Sequence, residues 1–343
     1  MPKAKEKIHE FALIRQLQRR YPARAPGLIQ SIGDDAAVLA PSVGQWWHLT
    51  TDLLAEGVHF DLHTASPESI GYRAAMANLS DIAAMGAQPR FLLLSLAIPP
   101  PITQRHILQL YAGLMRACRP YGVALIGGDT SGSATGLFVN ITLMGTTRTG
   151  ASLFRRGAHP GDGIYVTGTL GDSLAGLKLL NQGLSSKQTP SLRPVHHTFL
   201  VQRHLRPSAR VAEGQWLNEQ GLATSAIDVS DGLSGDLRHL CEESRVGAEI
   251  DPALLPLSPA CSAYANLRGL KPADLALAGG EDYELLFTVQ TRREAALQRQ
   301  AATHRYRITR IGEIRERRFG VQMRSSDGML CPLPMTSYRH FHS

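Results

Sequence analysis

The chain has 343 residues, 43% of them hydrophobic and 19% charged, with a net charge of +7. Those proportions exclude a disordered or fibrous chain and leave room for two ordinary domains, each with a real core. The four cysteines, Cys118, Cys241, Cys261 and Cys331, form no C-x-x-C pair. That argues against a zinc knuckle or a disulfide framework and for reduced thiols in a cytoplasmic setting.

The opening M-P-K-A-K-E-K-I-H-E is charged and lacks an apolar core, so no secretory leader is expected. The longest apolar run, 91–101, is too short to cross a bilayer as a helix. Basic residues gather at 3–24 and 292–318 without the interleaved aromatics of a single-strand binder. A basic balance also suits anionic small molecules, and nucleic acid is not the expected partner.

In chain order, 9–20 has helical spacing, with Phe11, Ile14 and Leu17 on one side. A Pro/Gly-rich connection leads to S-I-G-D-D-A-A-V-L at 31–39, a loop running into a strand. The stretch 46–51 reads as a strand ending in Asp52. Pro67 suits the first turn of a long helix. That helix continues through A-A-M-A-N-L-S-D-I-A-A-M-G-A-Q at 74–88, rich in Ala, Leu and Met with Asp81 as its single charge. Asn78, Asp81 and Met85 share a face there with Ala74 and Ala77.

A strand is expected at 91–98, closed by three prolines, and an amphipathic helix at 103–119. A short buried strand at 123–126 should end in G-G-D-T, with another strand at 137–146. Near residue 150 the pattern restarts. A Pro160–Gly163 turn precedes a strand at 164–166, and G-T-L-G-D-S then opens a helix near Asp172. That strand–glycine–helix form can hold phosphate but lacks the dinucleotide fingerprint, so a tight structural turn is the better expectation. The stretch 184–197 is polar with two prolines and reads as a surface loop. A basic run, R-H-L-R-P-S-A-R at 203–210, leads into a helix. The alternation implies two α/β domains, 1–150 and 151–343.

Acids recur at strand ends and loop starts beside Gly, Ser or Thr. They are Asp34 and Asp35, Asp52, Asp81, Asp129, Asp228, Asp231, Glu281 and Asp282. Each alone suits a turn or cap. Gathered in one cleft of a net-basic protein they would repel one another unless cations stood between them. A lone carboxylate among small apolar residues, as at Asp81, needs such compensation too. All-oxygen donors without a His/Cys cluster point to Mg²⁺ rather than zinc. No P-loop, protein-kinase signature or G-x-S-x-G elbow is present. The carboxylates would instead hold a nucleotide through bridging metals.

Taken together, S-I-G-D-D-A-A-V-L, L-T-T-D-x-L-x-x-G-V-H-F, N-L-S-D-I-A-A-M-G-A, I-G-G-D-T, Y-V-T-G-T-L-G-D-S-x-A-G-L, R-H-L-R-P-S-A-R, I-D-V-S-D-G-L, G-G-E-D-Y-E-L and the closing Y-R-H-F resemble the thiamine-monophosphate kinase family, of the aminoimidazole ribonucleotide synthetase-like superfamily. The resemblance implies two α/β (α+β) domains, an N-terminal ATP/Mg-binding one with dimer-forming strands and a C-terminal one completing the active site. It implies ATP-dependent phosphorylation of thiamine monophosphate to thiamine diphosphate, with several Mg²⁺ ions, in a homodimer. Carried over by motif, Asp35, Thr50, Thr51, Asp52, Asp81, Asp129, Asp228 and Asp231 are the implied metal ligands. Tyr111, Gly128, Asp129, Arg155 (with Arg156 one place away) and Ser230 are the implied nucleotide contacts. His59, Glu281 and Tyr338 are the implied contacts to thiamine phosphate, Tyr338 through its aromatic face. The acceptor is already a phosphate, so direct in-line transfer without a catalytic nucleophile is expected. The competing enzymes of the superfamily, selenophosphate synthetase and a hydrogenase-maturation dehydratase, need a reactive cysteine near a terminus, whereas the first here is Cys118. A non-catalytic nucleotide or RNA binder would bind with steep salt dependence and turn over no ATP.

Overall fold

The computed structural model describes residues 28–30, 37–183, 192–325 and 327–338. The expected helix at 9–20 and the acids Asp34 and Asp35 lie outside them. The organising element is helix α1, Pro67–Ala84. Pro67 takes the first helical position, and the Ser66 hydroxyl accepts from the Ser69 amide at 3.2 Å to cap it. Fourteen of its eighteen residues are buried, so it is covered on all sides rather than amphipathic. Buried Leu79 and Ile82 each contribute about 1.5–3 kcal/mol relative to exposure.

One side of α1 packs on a sheet ordered β1-β2-β3-β6-β4-β5. Its strands are β1 Leu28–Gln30, β2 Ala37–Ser42, β3 Gln45–Ala55, β4 Gln88–Ile98, β5 Ala124–Gly132 and β6 Phe138–Arg148. All pairings are antiparallel except β4 with β5. Helix α2, Gln104–Cys118, crosses α1 so closely that the two backbones meet at glycines. A Cβ on Gly71 would stand 2.0 Å from the Leu110 carbonyl oxygen, and one on Gly113 would stand 1.8 Å from that of Glu68.

The second sheet is ordered β13-β12-β9-β11-β7-β10-β8. It comprises β7 Gly163–Thr167, β8 Ala223–Val229, β9 Gly247–Ile250, β10 Glu284–Val289, β11 Ile308–Arg315, β12 Val321–Arg324 and β13 Leu330–Pro332. Here too only one pairing, β12 with β9, is parallel. Around it lie α3 Asp172–Asn181, α4 Pro194–Leu205, α5 Val211–Glu219, α6 Leu233–Ser244, α7 Pro259–Leu267, α8 Pro272–Ala278 and α9 Thr291–His304. The chain changes sheets between Arg148 and Gly163. Helix α1 also packs on α5 and β8. One hydrophobic cluster therefore runs from Leu79 and Leu92 to Trp216 and Phe287 across both halves.

Two local expectations need correction. The strand after Val123 is not buried and short: β5 runs nine residues and is exposed along most of its length, because it forms the sheet edge. The stretch 184–197 is not all loop, because α4 starts at Pro194, which suits a first helical position.

Candidate active site

A cavity of about 1280 Å³ lies where α1 meets the second domain. Six acids border it, among them four aspartates expected as metal ligands. Asp52 comes from β3, Asp81 from α1, Asp228 from the end of β8, and Asp231 from the turn into α6. Strand alternation puts Thr50 and Asp52 on the helix-facing side of β3, and the Thr50 hydroxyl donates to the Asp81 carboxylate. Asp228 is 1% exposed and accepts from the Ser80 hydroxyl at 2.7 Å and the Ser230 hydroxyl at 3.3 Å. Neighbouring residues of α1 thus reach both domains: Asp81 meets Thr50, and Ser80 meets Asp228.

Arg155 and Ser230 border the same cavity. Arg156 instead lies over the Phe154 ring, 4.5 Å from its centroid. His59, Glu281 and Tyr338 border it as well. The Ala55 amide donates to His59 Nδ1 at 3.0 Å, so in the neutral ring the proton sits on Nε2. Glu281 adopts φ +59, uncommon for a residue with a Cβ, and its amide donates to the Ser230 carbonyl at 2.7 Å. Burial pushes the Glu281 carboxyl up, but Arg73 and then His204 outweigh it and hold it below the usual range. Tyr338, 41% exposed, is anchored by its amide to the Asp231 carbonyl at 2.9 Å.

Four residues named from the sequence do not join this set. Thr51 borders the cavity, but alternation turns its side chain to the far face of the sheet. There its hydroxyl reaches the Ile141 carbonyl at 2.9 Å and the Asn140 side chain at 3.2 Å. Gly128 and Asp129 lie on β5, three strands from β3 and so roughly 14 Å across the sheet. The ladder aligns Asp129 with Ser95, Asn140 and Leu53, the row facing away from α1. Gly128 has a packing reason to be glycine: at φ +154 a Cβ would stand 1.8 Å from the Leu94 carbonyl oxygen. Tyr111 lies on α2, half-buried against the core and away from the cavity.

The structure also brings in residues the sequence reading passed over. Arg73 and His204 border the cavity, as do Leu174, Leu177 and Asn181 on one face of α3. Asp236 is 2% exposed, and its carboxylate accepts from the Gly232 amide at 3.0 Å. Burial, then the charges of Asp231 and Asp228, push its carboxyl well above the usual range. The signal was one more acid five places after Asp231, at a position that reads as an ordinary first-turn helix residue.

The glycine turn before α3 is structural. Its two amides, Gly171 at 2.5 Å and Ser173 at 3.1 Å, donate to buried Asp282, which fills the anion position of the helix N-terminus. Burial raises that carboxyl to about 7 against the pull of Arg203 and the two amides.

Among the described residues, no three His, Cys, Asp or Glu side chains converge tightly enough to enclose an ion unaided. The oxygen set at the cavity fits Mg²⁺, which takes one or two carboxylates and completes its shell with water and phosphate oxygens. Chemically, the cavity offers carboxylates and two arginines, Arg73 and Arg155, beside an apolar wall, suited to a phosphorylated organic molecule and a nucleotide.

Residues 33–147 match the family described as AIR synthase related protein, N-terminal domain, and residues 159–324 match its C-terminal domain. The chain is 38% identical to the thiamine-monophosphate kinase of Bacillus subtilis (strain 168) over 336 residues, covering 97% of this chain and 100% of that one. It is 41% identical to that of Escherichia coli (strain K12) over 288 residues, 84% and 85% of the two chains. Among solved structures, AaThiL complexed with AMPPCP and TMP superposes with a TM-score of 0.83 at 34% identity, covering 98% of this chain and 99% of the other. The thiamine-monophosphate kinase from Stenotrophomonas maltophilia K279a does so with 0.74 at 36%, covering 96% and 100%.

Proposed function

The chain belongs to the thiamine-monophosphate kinase family, among the AIR synthase related proteins, and on that premise we propose that it moves the γ-phosphoryl group of ATP onto the phosphate of thiamine monophosphate, yielding thiamine diphosphate and ADP. It is a phosphotransferase with a phosphate group as acceptor. The observation that carries the substrate reading is the single cavity bordered by Asp52 and Asp81 from one domain and by Asp228, Asp231, Arg155 and Glu281 from the other.

The chemical obstacle is bringing one polyanion against another. Asp52, Asp81, Asp228 and Asp231, helped by Thr50, would hold Mg²⁺, with Asp35 as a further candidate outside the described residues. Bound Mg²⁺ supplies charge neutralisation of the phosphate oxygens. Arg155 adds a fixed cation for the nucleotide, and Ser230 a hydroxyl beside Asp228. Leu174, Leu177 and Phe60 form an apolar wall for the organic rings, which also excludes water from the acceptor. His59, Glu281 and Tyr338 orient that end. The acceptor is already an ionised phosphate, so no side chain need take its proton, and we propose direct in-line transfer with no phosphoenzyme.

A second copy of the chain is the proposed partner. The far face of the first sheet carries Leu53, 52% exposed, with half-buried Trp47, Leu49, Phe91, Leu93 and Met144. Such an apolar face favours a covering surface, and a homodimer would supply one. The free cysteines Cys118, Cys241 and Cys261 are buried, which suits a reducing compartment, and we propose the cytoplasm. No helix among the described residues is long and apolar enough to cross a membrane.

The test is to incubate the protein with Mg-ATP and thiamine monophosphate and to resolve thiamine diphosphate and ADP by chromatography. Stoichiometric formation of both is expected. ATP consumption without thiamine diphosphate would overturn the substrate assignment, and label from γ-phosphate retained on washed protein would overturn direct transfer.

A further inference from the structure

Arg73 lies in the middle of α1 with a side chain only 1% exposed, yet it borders the cavity. A guanidinium has five N–H donors, but a single nitrogen makes all of its described bonds. Nη2 stands 2.5 and 2.7 Å from the two carboxylate oxygens of Glu281 and 3.1 Å from the His59 carbonyl oxygen. Nε and Nη1 are buried and find no acceptor among the described residues. A buried cation with three of its five donors idle is an expensive arrangement if domain cohesion is the only purpose. Apolar side chains on the same helix serve that purpose at less cost.

The identity of its two partners is informative. His59 follows β3 in the first domain, and Glu281 precedes β10 in the second, 208 positions from Arg73. Both border the cavity at the end assigned above to the organic substrate. Within their own domains, His59 accepts from the Ala55 amide and the Glu281 amide donates to the Ser230 carbonyl. His204 approaches Glu281 from α4 at 3.4 Å. Its Nδ1 also lies 3.0 Å from the Ser173 hydroxyl. By contrast, the described bonds of Arg73 touch neither Asp228, Ser230 nor Arg155.

We propose that Arg73 is a positioning residue for the phosphate acceptor: its guanidinium locks the Glu281 carboxylate and the His59 loop into one geometry, assembling the thiamine-monophosphate end of the cavity from two domains and leaving the nucleotide end untouched. This rests on the substrate reading above. A purely structural pin would weaken the fold and impair both substrates alike, whereas a positioning residue acts on one of them. Displacing a substrate-orienting group by about 1 Å can cost two orders of magnitude in rate.

The experiment compares the wild-type protein with Arg73→Lys, which keeps the charge but whose ammonium ends one bond short of the Nη2 position that makes the contacts, and with Arg73→Met, Glu281→Gln and their double variant. Expected for Arg73→Lys is a KM for thiamine monophosphate raised about tenfold or more, with the KM for ATP and the melting temperature near wild type. The Arg73→Met/Glu281→Gln double variant should be no worse than the more damaged single, because the two side chains act as one unit. An unchanged KM for thiamine monophosphate in Arg73→Lys, parallel rises in both KM values with a lowered melting temperature, or multiplicative single effects would overturn the inference alone. A wild-type protein that makes no thiamine diphosphate would overturn the substrate reading and this inference with it.

Discussion

Acid should loosen the strand that carries Thr50 and Asp52, and the cause is one imidazole. His48 lies on β3 opposite Gly145 and is fully buried. Its Nε2 stands 3.1 Å from the Thr147 hydroxyl and 3.2 Å from that of Ser152, while Nδ1 is buried without a partner. Burial alone lowers its pKa from 6.5 to about 4. Between those two values the unfolded chain binds a proton that the folded one refuses, so stability falls as pH falls through that window and levels off below it. At 1.36 kcal/mol per unit the full loss is about 3 kcal/mol, of which about 2 kcal/mol has gone by pH 5. The perturbation is His48→Gln, which keeps a polar side chain and cannot titrate. Urea denaturation of both proteins at pH 7, 6 and 5, followed by fluorescence of nearby Trp46 and Trp47, isolates the effect. Contributions from His204 and the carboxylates are common to both proteins and cancel in the difference. The wild type should lose about 2 kcal/mol more than His48→Gln between pH 7 and pH 5. Parallel pH dependences would refute the reasoning, because they would mean that this imidazole is already protonated, or solvated, in the fold.

Asp81→Asn should lower kcat by about 100-fold or more at saturating Mg²⁺ with an unchanged fold by circular dichroism, because the amide oxygen can still accept from Thr50 while the charge is gone. Gly113→Ala should destabilise the protein by about 3 kcal/mol in denaturant titration. A methyl 1.8 Å from the Glu68 carbonyl oxygen forces α1 and α2 apart by more than 1 Å, and the atom in its way is backbone. Tyr338→Ala should raise the KM for thiamine monophosphate severalfold with little change in that for ATP, measured by initial rates. Equal values for both proteins would reduce Tyr338 to a packed C-terminal aromatic.

Much of the fold was legible along the chain because its signals are local. Pro67 with Ser66, the Ala-rich run to Ala84 and the apolar strand from Phe91 are readable without knowing what packs on them. The residues around 194 resemble a loop, with two prolines and polar neighbours, until α4 finds α3 to pack against. In the same way, 123–126 looked buried because Val123 is, although the strand beyond it forms an edge. In the site, the acids were conspicuous by their neighbours, whereas Arg73 sat inside a helix like any solvated arginine.

The sequence by itself determined the two-domain α/β class, most element positions, the family and the chemical kind of site, because periodicity, caps and ordered motifs are properties of neighbouring residues. Only the tertiary structure decided that Ser80 and Asp81 reach different domains, that Asp129 aligns with the opposite face of the sheet, and that Arg73 meets Glu281. Charge pairing across hundreds of positions depends on how finished elements dock, and docking follows from shape and burial over the whole surface of α1, which no local stretch of sequence records.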